Sequence, residues 1–354
     1  MPIFVSLSTP ESAEFIAPHT SRLVSLAVQL DDTKFNLNQV AEHLRHPIPT
    51  LHTFRVSAGT LGLQRVALSS YILDPFFIHS RKLDLDGVFS FARRPKVPNP
   101  LVTFPHVTEL TVQNDWHTFV DIDHFLETLE QLPMLEKVSI TFAWWRWYGL
   151  TPTVTLPRVR EMSVFAPKLD ETVPPILMLI KLPNLTSLHL QIPLSESTSP
   201  YPILPTTSFD EYLPNLTNIP DLQATMDETS IEVAFRNPQA VFSYVAADGF
   251  RTYHRDRSIW GALPLHTVRR LIVDVRASSE EVDDGWFVNM LQDLPNLERV
   301  TFRGGFPAVV QRLRCEVVRG ELSIPIRTLV ECAAGEYETR DVQPLAWTWP
   351  QPTL

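Results

Sequence analysis

The chain has 354 residues, a formal net charge of −10 and 31 prolines against 11 glycines, where shares of about 5% proline and 7% glycine are usual. Its 44% hydrophobic and 20% charged residues supply enough apolar material for a core, which excludes wholesale disorder, and the scarcity of glycine excludes a collagen-like repeat. The acidic balance argues against nucleic-acid binding, and two cysteines, Cys315 and Cys332, cannot frame a disulfide-rich secreted fold.

The amino-terminal stretch MPIFVSLSTPESAEF lacks the basic start and sustained apolar run of a signal peptide, and the longest apolar run elsewhere, residues 176–180, is too short to span a bilayer. A cytoplasmic or nuclear protein with no membrane partner is expected. From Leu23 onward one phrase recurs: proline, any residue, an apolar residue, two variable residues, an apolar residue, one variable residue, an apolar residue. Clear copies begin at Pro49 (PTLHTFRV), Pro105 (PHVTELTV), Pro133 (PMLEKVSI), Pro157 (PRVREMSV), Pro183 (PNLTSLHL) and Pro295 (PNLERVTF). Copies at Leu23 and Val268 lack the proline, and those at Ser80 and Leu216 are weaker.

With the first apolar position as anchor, the copies stand at residues 23, 51, 80, 107, 135, 159, 185, 216, 268 and 297, 24 to 31 residues apart except for one gap of 52. L-x-x-L-x-L at a period in the high twenties is the leucine-rich-repeat signature. The fourth and sixth positions share one face of a short strand, and stacked strands join these faces into one core. Residues 37–44, 121–132 and 286–294 carry apolar side chains at helical spacing. Each unit thus reads strand, loop, short helix, then a proline that ends the helix at the next strand's first residue.

The predicted fold is α/β, an irregular leucine-rich-repeat solenoid over residues 1–306, with a curved parallel sheet on the concave face and short helices on the convex face. Alternating apolar residues at 226–233 and 240–246 predict a hairpin inserted at about 226–262, filling the long gap. Residues 307–354, with a strand-like segment at 320–330, are expected to cap the repeat core. The asparagine usual at the ninth consensus position is missing, Asp31, Ala143 and Pro167 standing at three of those places, so the turns must close in other ways.

The segment VSLSTPESAEFIAPHTSRLVSLAV, the repeated LPNL-x-x-L units and IWGALPLHTVRRLIVDV before a late repeat resemble the F-box-like leucine-rich-repeat proteins of mushroom-forming fungi. The resemblance implies a non-enzymatic protein-interaction module, the substrate-recognition repeats of a ubiquitin-ligase receptor, whose F-box would dock on the ligase adaptor. No L-P-x-E or C-R-x-W stretch precedes Leu23, so the sequence is expected to start just after an F-box, and adaptor binding requires one supplied upstream. A free-standing repeat scaffold is the alternative, with an enzyme a distant third.

On such a sheet the variable strand positions face the concave side. They are Lys82, Asp84, Asp86, Glu109, Gln113, Lys137, Glu161, His189, Gln191, Arg270, Asp274, Arg299 and Arg303, a mixed-charge groove for an unknown target protein in which charge sets specificity and encounter rate, or else a solvated sheet face. Trp144, Trp145, Arg146, Trp147 and Tyr148 are the residue types of interface hot spots, and they equally suit the core of an enlarged loop. His117, Asp121 and His124 are spaced for one helical face, but Asp121 at an N-cap and Asp123 in the first turn already account for the acids, and no metal or other cofactor is expected. Asn184-Leu-Thr and Asn215-Leu-Thr match a glycosylation triplet through the repeat phrase itself. His254-Arg-Asp256 matches the kinase catalytic triplet, but with no phosphate-cradling glycine loop, no nucleophile elbow and no D-F-G, no catalytic residue is predicted.

Overall fold

Core triplets dictate the sheet. In the copy at Val107, the side chains of Leu110 and Val112 fall on one face of the strand and Val107 lies in the turn that enters it, and all three are buried. The same holds for Leu51, Phe54 and Val56, for Leu135, Val138 and Ile140, for Val159, Met162 and Val164, and for Leu297, Val300 and Phe302. The computed structural model describes residues 2–30, 40, 44, 48–58, 66–67, 79–86, 89–90, 105–113, 119–130, 132–141, 144–146, 153–165, 176–193, 209–226, 230–237, 240–247, 263–275, 291, 293–303, 328–332 and 345–348. The chain forms an irregular parallel-sheet repeat solenoid. It divides into two compact units, Met1–Leu185 and Thr186–Leu354, where the sequence predicts one repeat body to residue 306.

In the first unit, strands β1 (Ile3–Leu7), β2 (Leu23–Leu30), β3 (Thr53–Ala58), β4 (Lys82–Asp86), β5 (Glu109–Gln113), β6 (Lys137–Thr141) and β7 (Glu161–Phe165) lie side by side in chain order, every neighbouring pair parallel. The register aligns the triplets: Leu83, Leu110, Val138 and Met162 form one row and Leu85, Val112, Ile140 and Val164 the next. Strand β1 precedes the first predicted copy. Between β1 and β2 lies helix α1 (Pro10–Ile16), started by Thr9, whose hydroxyl accepts the Ser12 N–H, and by Pro10 in its first turn.

The repeated proline stands four residues before its strand, which corrects the expectation that it opens the strand. Leu135 N–H donates to the Leu132 carbonyl at 3.1 Å, Leu51 to Ile48 at 3.1 Å and Leu185 to Leu182 at 3.3 Å. Each proline is therefore the second residue of a four-residue turn, where its fixed φ fits and its missing donor costs nothing. Both turn ends are buried apolar side chains, so the phrase reads L-P-x-L-x-x-L-x-L.

The residue between proline and anchor links successive copies. Thr50 Oγ1 donates to the Leu23 carbonyl at 2.8 Å, the His79 and His106 rings stack with centroids 6.4 Å apart, and Asn184 Nδ2 donates to the Pro157 carbonyl at 2.7 Å. This row ties each copy to the one before it, and it gives the Asn184 triplet a structural role.

Among the described residues, the stretches between rungs hold both short helices and short strands. Helix α2 (Ile122–Glu130) lies within the predicted residues 121–132, with Asp123 in its first turn. Opposite the main sheet there are otherwise short parallel pairs: Val66–Ala67 with Phe89–Ser90, Phe119–Asp121 with Trp144–Arg146, and Val154–Thr155 with Ile180–Lys181. The interval from Leu135 to Val159 is the shortest, 24 residues. Short strands are not confined to it: Val66–Ala67 lies between anchors 51 and 80, and Phe119–Asp121 directly precedes α2, so interval length alone does not decide between strand and helix. Of the helix predicted at 37–44, residues 40 and 44 are described, with Leu44 N–H donating to the Val40 carbonyl at 2.9 Å, and most of that at 286–294 lies outside the described residues.

The second unit holds β8 (Ser187–Pro193), β9 (Asp221–Met226), β10 (Ser230–Arg236), β11 (Val241–Ala247), β12 (Arg270–Val275), β13 (Arg299–Arg303), β14 (Thr328–Cys332) and β15 (Leu345–Thr348). Their order is β8-β11-β10-β9-β12-β13-β14-β15. The predicted hairpin is thus part of a meander inside the sheet: β10 runs antiparallel to both β9 and β11, while β11 runs parallel to β8 and β9 parallel to β12. Asn237 clamps its second turn, accepting the Ala240 N–H and donating to the carbonyls of Asn215 at 2.9 Å and Asn218 at 2.8 Å. The anchor assigned to Leu216 belongs to Ile219. Pairing of Leu222 with Leu271 makes Ile219, Leu222 and Ala224 the buried triplet, and Leu216 closes an extra 3-10 turn. The repeat also continues past residue 306, because β14 is a further parallel rung on β13, and the antiparallel β15 follows it.

At one rung the triplet carries a polar intruder. Ser80 occupies the anchor place above Leu83 and Leu85, fully buried, its hydroxyl without a hydrogen-bond partner among the described residues. An unsatisfied buried hydroxyl costs about 1–3 kcal/mol. Ser80→Ala is expected to raise the urea midpoint, by about 1 kcal/mol in stability, and a lower midpoint would contradict this account.

Candidate partner-binding face

With the triplets inward, the second, fourth and sixth residues after each anchor point away from the core. In the first unit the register sets them in three rows. Thr53, Lys82, Glu109, Lys137 and Glu161 form the first, and Arg55, Asp84, Thr111, Ser139 and Ser163 the second. Ser57, Asp86, Gln113, Thr141 and Phe165 make the third. All of these side chains are half-buried or exposed, so seven predicted face residues, Lys82 to Glu161, stand together on one surface.

The charges there largely answer one another. Lys82 Nζ lies 3.4 Å from Glu109 Oε2, Lys137 Nζ lies 2.7 Å from Glu161 Oε2, and Arg55 reaches Asp84 at 3.7 Å and Asp86 at 3.3 Å. Opposite charges directly across neighbouring strands stabilise the pairing, each exposed pair by about 0.2–1 kcal/mol. The consequence is an electrically balanced strip beside a band of hydroxyls, Thr111, Ser139 and Ser163. It offers hydrogen bonds more than a net field. The hydrogen bond to Glu161, reinforced by Glu161 and Glu109 as charges, raises the Lys137 pKa against the smaller effect of burial; this stabilisation is complete below the ordinary lysine range and is lost above it.

In the second unit, His189 and Gln191 lie on β8, and His189 Nδ1 shares a 2.5 Å hydrogen bond with the Ser243 hydroxyl on β11. Arg270 pairs with Asp221 across β9 and β12. Arg299 is exposed and Arg303 half-buried. Asp274 has the right strand parity but is only 2% exposed, which removes it from the displayed residues: a covered carboxylate cannot meet a partner.

Part of the aromatic cluster lies in another strand pair. Trp144, Trp145 and Arg146 form a short strand paired with Phe119–Asp121 in a separate two-stranded sheet, and Trp147 and Tyr148 lie outside the described residues. His117 lies outside them too, while Asp121 ends a strand and His124 sits in α2. Among the described residues, no group of three His, Cys, Asp or Glu side chains is placed to hold a metal ion, and no helix is long and apolar enough to cross a membrane. Cys332 ends β14, and Cys315 and His254 to Asp256 lie outside the described residues.

Sequence reasoning missed Arg55 and the hydroxyl band, because it weighed charged residues and passed over Thr111, Ser139 and Ser163 at the same parity. It also missed Asn237, a lone asparagine with no motif around it. No family model matches the chain, and no curated protein does. Among solved structures, the crystal structure of a Bacteroides fragilis protein is similar at 9% identity and a TM-score of 0.28, over 83% of this chain and 68% of that one. A likeness at that level bears on neither fold nor function.

Asp84 supplies a test of the face's electrostatics. Burial raises its pKa, Arg55 opposes this, Asp86 adds to it and Lys82 lowers it, with a net upward shift from 3.8. A carboxyl whose pKa is raised on folding favours the folded state below its unfolded pKa and loses that contribution as pH rises through the folded value. Asp84→Asn is therefore expected to exceed the wild type in stability at neutral pH and to lose that lead at about pH 3. Urea midpoints at the two pH values check it; a lead that grows in acid would contradict it.

Proposed function

We propose that this chain is a leucine-rich-repeat module that binds a protein partner on the displayed face of its sheet. One observation carries the reading: five neighbouring strands align three rows of solvent-reachable polar side chains on one face, while their core triplets fill the other. A rigid sheet with aligned donors and acceptors presents hydrogen-bonding groups with little ordering cost on binding. Extended faces of this kind are the binding surfaces of stacked-repeat proteins. The module contributes recognition and no chemical step.

The sequence resemblance supports a narrower reading, in which the partner is the target of an F-box-like ubiquitin ligase and the protein works in the cytoplasm or nucleus. Recovery of the ligase adaptor with the protein purified from its native source is the expected result. Partner recovery with no adaptor selects the free-standing scaffold instead.

The face itself is tested by photo-crosslinking. A photoreactive residue at Gln113 or Thr141 is expected to capture a discrete partner from native extract, and one at Glu14 on α1 is expected to capture none. Gln113→Arg, an exposed position, is expected to weaken capture about tenfold, or about 1.4 kcal/mol, with the thermal midpoint unchanged. Equal capture from Glu14 would refute the assignment.

A further inference from the structure

In the first unit each displayed cation, Arg55, Lys82 and Lys137, has a carboxylate on the neighbouring strand. Strand β13 breaks that rule. Its Arg299 lies in register with Arg270 on one side and Thr328 on the other, so two like charges sit at directly opposed positions of adjacent strands, an arrangement that destabilises a sheet. Arg270 is turned to Asp221 on its far side. Arg303, four residues along, has as neighbours the covered Asp274 and Cys332. Neither Arg299 nor Arg303 has an ion-pair partner among the described residues, and Thr301 lies between them at the same parity.

We propose that Arg299, Thr301 and Arg303, with Arg270 beside them, form a docking strip for an extended acidic segment of a partner protein. The proposal rests on the reading that the displayed face binds protein, and it names the partner's chemistry. Alternate residues of an extended segment repeat at about 6.6 Å and span about 13 Å over four residues. That is the spacing of Arg299, Thr301 and Arg303 along β13, so acidic residues at three alternate positions meet two guanidinium groups and a hydroxyl donor. Two of the three paired first-unit cations are lysines, Lys82 and Lys137, whereas all three cations here are arginines, whose planar fork holds a carboxylate by two hydrogen bonds. The net charge of −10 works against a polyanion of nucleic-acid charge density, while a short acidic segment brings few charges.

The test uses the full chain and three fluorescent probes: a Ser/Gly peptide with glutamates at alternate positions, the same peptide with glutamines, and a single-stranded oligonucleotide of equal charge. The glutamate peptide is expected to bind most tightly, the glutamine peptide not at all, and binding to fall steeply between about 0.1 M and 0.5 M salt. Arg299→Ala with Arg303→Ala is expected to weaken glutamate-peptide binding at least tenfold, and Lys82→Ala with Lys137→Ala to leave it unchanged. Arg299→Glu creates an opposite-charge neighbour for Arg270, so it is expected to raise the urea midpoint while abolishing peptide binding, a combination that misfolding cannot produce. Equal peptide affinity in the double alanine variant, or tighter binding of the oligonucleotide, would overturn the proposal. If crosslinking at Gln113 persists while no acidic peptide binds, the strip fails and the protein-binding face stands; loss of both removes the reading beneath it.

Discussion

A single parallel strand cannot bury one face and satisfy its backbone alone, and this architecture follows from the way successive copies solve that problem together. Each rung contributes three apolar side chains, such as Leu135, Val138 and Ile140, which the register stacks on Val107, Leu110 and Val112 of the rung before. Full burial of such a side chain contributes about 1.5–3 kcal/mol, so the stacked triplets outweigh any exposed ion pair on the other face. The turn L-P-x-L sets where each strand starts, and a one-residue slip would exchange core and surface. Ser80 shows how far the pattern tolerates damage, since Leu83 and Leu85 keep its rung in place.

Once the triplets occupy one side, the opposite side is released from packing and can carry any residue that suits a parallel sheet. The first unit uses that freedom to balance charge between neighbours, Lys82 with Glu109 and Lys137 with Glu161. The second unit does not do so at β13, where Arg299 stands beside Arg270. Balanced charge contributes to the fold, whereas the like charges side by side at β12 and β13 cost it stability.

Much of the sheet was legible because its cause is local: the spacing of three apolar residues and a proline. Copies at Leu51, Val107, Leu135, Val159, Leu185, Val268 and Leu297 all mark the rungs that their spacing implies. Where the spacing was ambiguous the reading slipped, as at Leu216, where Leu213-Pro214-Asn215-Leu216 closes a turn like the others but Ile219 holds the anchor. Of the meander, β10 and β11 were legible as strands but not as members of the sheet, because alternation reports which faces are apolar and not which neighbour a strand selects. Helical spacing at residues 121–132 did mark a helix, α2, whereas the strands outside the main sheet are two or three residues long, too short for alternation to announce them.

By itself, the sequence determined the repeat, the apolar triplets, the tight turns and the parity of the displayed residues, because all of these depend on residues within a few positions of one another. Only the tertiary structure decided which charges meet. The pairing of Lys82 with Glu109 and of Arg270 with Asp221, the stacking of His79 on His106, the burial of Asp274 and the clamp that Asn237 makes on Asn215 and Asn218 each join residues 19 to 49 positions apart or depend on what covers them. Register between strands sets those meetings, and register is a property of the assembled sheet that no single repeat contains.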